Sequence, residues 1–279
     1  MQTGAQQFNS ANRLPSRGER AFTMVEIALS LAVVAFALVA IIGVLPLGMT
    51  VQKDNREDTL IGQEGRFWLE AIKSGARGIY DLTNYVEFIR VQPTNVGGTT
   101  PFQLVEVENN AEPYLTPTEI IGLLSIPKYE GPTNRVVTNI ITARVRAITG
   151  PATEQSPFTN SNPNVFRYEL QTEITKYRPV PPELIRQAER DNPTNGVPMR
   201  QVNETIGGNL WDVRLVLRWP VVERGNGWFV GNNRKVFRAQ VAGVPQSFTN
   251  FNRTLIRDRD ELYLFTPNHF NVANFEQLP

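Results

Sequence analysis

The chain contains no cysteine. That excludes a disulfide frame, a thiolate metal site and a cysteine nucleophile, and leaves the redox compartment open. Histidine is almost as scarce: His269, in the polar stretch "FTPNHFN", is the only one. Zinc sites built on several His or Cys ligands are therefore ruled out, and a Ser-His-Asp arrangement would have to use this single residue. Charge of one sign is missing too, since 28 basic residues face 27 acidic ones for a net +1. Nothing global recommends nucleic acid as a partner. No internal repeat and no linker to a second domain can be read along the chain.

What the sequence does have is a long apolar run near its start. From Ile27 to Val51 no side chain ionises. A helix of that length reaches about 37 Å at about 1.5 Å per residue, enough to cross a hydrocarbon core of about 30 Å. Arg13, Arg17 and Arg20 outnumber Glu19 ahead of the run, whereas Lys53 and Arg56 are mixed with Asp54, Glu57 and Asp58 after it. The positive-inside rule then places the N-terminus in the cytoplasm and everything beyond Thr50 outside the membrane. A cleaved secretory signal fits poorly, because the run is too long and the Ala35-x-Ala37 pattern lies inside it.

Glu26 is the oddity. It stands at the edge of the span; carried to the bilayer centre, a carboxylate costs on the order of 2.5 to 3.5 kcal/mol, so it asks for a partner. A plain uncleaved anchor has no use for it.

The stretch "RAFTMVEIALSLAVVA", Arg20 to Ala35, resembles the N-terminal signal of type IV pilins and type II secretion pseudopilins. The resemblance implies a cut by a prepilin peptidase between Ala21 and Phe22 on the cytoplasmic side. Phe22 then becomes the new N-terminus, usually N-methylated in the family, and Glu26 the fifth mature residue. Ala21 stands where most members carry glycine; a single methyl still fits a site built for a small residue. The new α-amine, with an ordinary pKa near 7.7 to 8.0, is mostly cationic at neutral pH. Glu26 of one subunit could pair with the Phe22 amine of a neighbour and so specify the stagger between parallel helices. More narrowly, the same stretch with "VRLVLRWPV" and "GNNRKVFRAQV" looks like the Verrucomicrobia cassette protein B family of pilin-like proteins.

Beyond the span the pattern predicts a head. Pro46 should kink or end the regular part of the first helix. Ile61, Trp68 and Ile72 then share one helical face and are expected to dock on a core, with Gly75 and Gly78 as stop signals. Period-two patterning predicts strands at Tyr85 to Val91, Phe102 to Val107, Val136 to Ile148, Phe166 to Tyr177, Trp211 to Val222 and Lys235 to Val241. In the fifth, Trp211, Val213, Leu215, Leu217, Trp219 and Val221 should face one side and Asp212, Arg214 and Arg218 the other, which argues an antiparallel sheet. "ERGNGW" reads as an elaborated hairpin tip. Thr116, Pro117 and Glu119 form a capping box, and a second short helix is expected after Pro181. Thr94 to Pro101, Gly150 to Pro163 and Asp191 to Gly208 read as long irregular loops.

Other constellations carry less. Arg214, Arg218, Arg224, Arg234, Lys235 and Arg238 read as a solvated sheet face. "RDRDEL", with Asp258, Asp260 and Glu261, lacks the glycine turn and spaced oxygens of a calcium loop and reads as a charged turn.

The expected fold class is α+β, a long N-terminal hydrophobic helix packed on an antiparallel β-sheet head. The expected organisation is a leader over 1–21, a membrane or filament-core segment over 22–50, a helical continuation over 51–78 and a head over 79–279. The resemblance implies a structural subunit of the inner membrane, a minor pilin or pseudopilin. Its partners would be a prepilin peptidase and other pilin-like subunits, with no catalysis, no cofactor, no metal and no nucleic acid. The rival is a single-pass, membrane-anchored periplasmic enzyme or ligand-binding domain that keeps its N-terminus.

Overall fold

The computed structural model describes residues 22–95, 104–109, 113–129, 137–148, 165–194, 196–225, 227–251, 256 and 261–266. The class is α+β, as expected. The chain divides into two units, Met1–Asn55 and Arg56–Pro279.

Helix α1 runs Met24–Ser74. In the first unit every described side chain from Phe22 to Val51 is exposed. Among the described residues this is the one helix long and apolar enough, by length and composition, to cross a membrane. Pro46 does not end it: of the two expected outcomes, a kink or an end to the regular part, the end is excluded, because the helix runs without a break across that position. Proline removes one backbone donor, and spanning helices tolerate that loss when the flanking residues keep their own bonds. Thr50 Oγ1 donates to the Pro46 carbonyl at 3.0 Å just beyond it.

In the second unit the last turns of α1 bury Ile61, Trp68, Ala71 and Ile72 completely. The predicted face is the docked face. The helix stops where the glycines indicate: Gly75, Ala76 and Gly78 take φ of 63°, 66° and 76°. A Cβ on Gly75 would also stand 2.3 Å from the Phe265 carbonyl oxygen, so both conformation and space call for glycine.

Six antiparallel strands form the main sheet: β1 Val86–Asn95, β2 Val105–Glu108, β3 Val137–Arg146, β4 Arg167–Lys176, β5 Leu210–Arg224 and β6 Gly227–Ala242, in the order β2-β1-β3-β4-β5-β6. All six predicted strands exist. One face is buried and the other wet, as alternation requires; Tyr168, Leu170 and Ile174 of β4 are buried while their neighbours are half-exposed. Helix α2, Pro117–Leu124, begins on the expected capping box and lies against β1 and β3. Its Gly122 admits the ring of Phe248 and the Cβ of Leu262.

Four expectations need correction. The hairpin between β5 and β6 is tight: Arg224 pairs with Gly227, so only Gly225 and Asn226 intervene and β6 starts well before Lys235. Gly225 takes the left-handed φ of 58° that so short a turn demands. Val221 does not share a face with Trp219. The register shifts between them, Trp219 opposing Asn233 and Val221 opposing Val230, and Val221 is carried to the wet side beside Arg90, Arg144 and Glu169.

The stretch Asp191 to Gly208 is not a loop. After α3, Pro182–Asp191, it folds into α4, Gly196–Gly207. Pro198 sits in the first turn, where its missing N–H costs nothing, and Met199 to Ile206 contains no breaker. Finally, β7 Pro245–Thr249 and β8 Glu261–Phe265 pair as a separate two-stranded sheet that sequence patterning did not reveal. Glu261 therefore opens a strand, while Asp258, Asp260 and His269 lie outside the described residues, as does the predicted loop from Gly150 to Pro163.

Candidate functional site

The N-terminal stretch comes first. Ala21 lies outside the described residues, and Phe22 is exposed just ahead of α1. Thr23 precedes the first helical turn, and its backbone N–H and its Oγ1 both donate to Glu26 Oε2 at 3.0 Å. The Glu26 N–H in turn donates to Thr23 Oγ1 at 3.3 Å. This is a reciprocal capping box, the same Thr-x-x-Glu device that opens α2 at Thr116 and Glu119. Glu26 thus has a local partner that the sequence reading overlooked, although the Thr-x-x-Glu spacing was legible. The box folds the carboxylate back toward Phe22, with Oε2 occupied and Oε1 accepting no bond among the described residues.

The wet face of the sheet holds the second candidate. Glu87, at the bulge of β1, receives three arginines: Arg167 Nε at 2.9 Å, Arg144 Nε at 3.1 Å and Arg146 Nε at 3.3 Å. All four side chains are under a fifth exposed, so the ions attract more strongly than at an open surface and lean on their hydrogen bonds. Burial pulls the Arg144 and Arg146 guanidinium pKa values down, and Glu87 works against that pull. Trp228, from the hairpin tip, lies over Arg144 with the guanidinium 3.8 Å from the ring centroid, and Phe88 flanks it at 5.3 Å. A planar cation against two rings is a cation–π stack.

A second ionic group follows along the same face. Glu173 is held by Lys128 and by Arg214 Nη1 at 2.7 Å. Burial works to raise its pKa, but those two cations prevail and hold the carboxyl below the usual range. A concavity of about 540 Å³ opens here between Glu173, Asp212, Arg214 and Arg238. The predicted arginine cluster is split between faces: Lys235 turns to the helix side, where its Nζ meets Asp58 at 2.8 Å. Among the described residues no group of acidic or imidazole side chains is arranged to hold a metal ion.

A third feature, missed entirely from sequence, lies under the helix. Glu64 is fully buried on the docking face of α1, accepting from Tyr168 Oη at 2.6 Å and from the Ile148 N–H at 2.8 Å. Trp68 Nε1 donates to the same Tyr168 oxygen at 2.7 Å. Burial, then Glu64, push the Tyr168 phenol well up. The signal was available: Glu64 interrupts an apolar stripe one turn after Ile61 and one before Trp68.

No family model, no curated protein and no solved structure matches the chain. Function must therefore be argued from the residues themselves.

Proposed function

We propose that the chain is a pilin-like structural subunit, a minor pilin or pseudopilin, made as an inner-membrane precursor with its N-terminus in the cytoplasm. A prepilin peptidase cuts between Ala21 and Phe22, and the mature helix first anchors the subunit and then packs among parallel helices of its kind. The observation that carries this reading is the stretch Phe22–Glu26 at the head of a helix whose described side chains up to Val51 are all exposed. The capping box supports the register role, because it holds the Glu26 carboxylate at the helix start with Oε1 still free to accept. A neighbour's Phe22 amine supplies the missing charge, and the pairing offsets two desolvation penalties in one step.

The capping box also favours a second reading, since it gives Glu26 an ordinary local role in an uncleaved anchor. Under that reading the charged sheet face belongs to a membrane-tethered periplasmic domain that binds a ligand or catalyses a reaction. Mass spectrometry of the protein extracted from membranes separates the two. A mature chain beginning at Phe22, methylated or not, is expected; a chain that retains Met1, or one cut beyond Ala37, overturns the pilin-like reading.

A further inference from the structure

Across β4, β5 and β6 the wet face repeats one spacing three times. The segments are ELQTE, RLVLR and RKVFR. Glu169, Gln171 and Glu173 on β4 stand directly opposite Arg218, Val216 and Arg214 on β5. Those three in turn stand opposite Arg234, Val236 and Arg238 on β6. The first pairing is complementary: Arg214 meets Glu173 at 2.7 Å and Arg218 approaches Glu169 at 4.0 Å. The second sets arginine against arginine twice, an arrangement that destabilises adjacent strands. Arg234 and Arg238 make no ion pair or hydrogen bond among the described residues, and they are exposed together with Val236.

Strand β6 is also an edge. No described strand lies beyond it, so one side of its backbone has no ladder partner among the described residues. Charge on an edge discourages adventitious pairing, but that purpose does not require like charges opposite each other on the adjacent strand. What completes the pattern is a second ELQTE-like strand on the far side of β6.

We infer that the free edge of β6 receives an extended segment of another protein carrying two carboxylates four residues apart, acidic-x-x-x-acidic, with an uncharged side chain midway between them. Main-chain hydrogen bonds supply affinity, and the two carboxylates meeting Arg234 and Arg238 set register and selectivity. The described strands of a second copy of this chain do not fit: ELQTE is in β4, paired on both sides, and along the edge strand β2, Val105–Glu108, the carboxylates Glu106 and Glu108 are only two residues apart. The inference does not depend on cleavage at Phe22.

The test uses the full chain in detergent micelles and a fluorescent peptide with the sequence of β4, RYELQTEITK, followed by anisotropy. Saturable binding that weakens with salt is expected. The double variant Arg234→Glu, Arg238→Glu should lower affinity about tenfold or more. A peptide with Glu169→Lys and Glu173→Lys should bind that variant and not the unmodified chain. Circular dichroism checks that the variant keeps its fold. Absence of saturable binding, or equal binding by the variant, overturns the inference. So does self-association of the unmodified chain in sedimentation that the same charge reversal abolishes, because the occupant would then be a second copy.

Discussion

Tyr168 donates its phenolic hydrogen to the buried carboxylate of Glu64 at 2.6 Å while accepting from Trp68 Nε1, so one oxygen joins the docking helix to the centre of β4. Buried polar groups are costly when half-satisfied and rigidifying when complete. This group fastens α1 at a single register, which apolar contact alone would not do.

Tyr168→Phe should destabilise the head by about 2 to 3 kcal/mol, since it removes a hydrogen bond to the buried Glu64 carboxylate and takes away the acceptor of the buried Trp68 N–H without changing much volume. Chemical denaturation followed by Trp fluorescence reads this directly. A loss below about 0.5 kcal/mol would mean that water or another group satisfies them.

At the helix start, Thr23→Ala and Glu26→Ala distinguish capping from assembly. Both break the reciprocal box, Thr23→Ala leaving only the backbone N–H bond to the carboxylate, but only Glu26→Ala removes the carboxylate. Under the proposed function, Glu26→Ala leaves cleavage largely intact and abolishes co-purification with partner subunits, while Thr23→Ala keeps most of it. Equal loss in both variants would reduce Glu26 to a cap.

Glu173 contributes stability in a defined pH window. Its folded pKa is depressed, so its contribution is full above the unfolded value of about 4.3 and declines as pH falls through the folded one. Glu173→Gln should therefore cost on the order of 1 kcal/mol at pH 7 and progressively less below about pH 4.3. Thermal melts of both proteins across pH 3 to 7 measure the gap; a gap that widens in acid would contradict the assignment.

Trp228→Ala should uncover the Arg144 guanidinium and cost about 1 kcal/mol through loss of the cation–π stack. Near-ultraviolet circular dichroism and urea titration together report the stack and its energy. An unchanged midpoint would place Trp228 outside the stability of the face.

Much of the fold is legible in the sequence. The apolar span, the docking face Ile61–Trp68–Ile72, the capping box at Thr116 and the six strands all rest on periodicity and local turn chemistry, which act between residues close in sequence. Helix α4 was hidden by its loop-like composition, and the β7–β8 pair by two strands of five residues each, too short to show alternation.

The sequence by itself determined the class of the molecule: a chain with one membrane-length helix and a one-sided antiparallel sheet, because each of those follows from a repeating pattern along a short stretch. Only tertiary structure decided which charges meet. Glu64 with Tyr168, Glu87 with three arginines, and Arg234 with no counter-ion among the described residues all depend on strand order and register, which bring together residues far apart in the chain. Val221 makes the same point, since one register shift moved it to the opposite face.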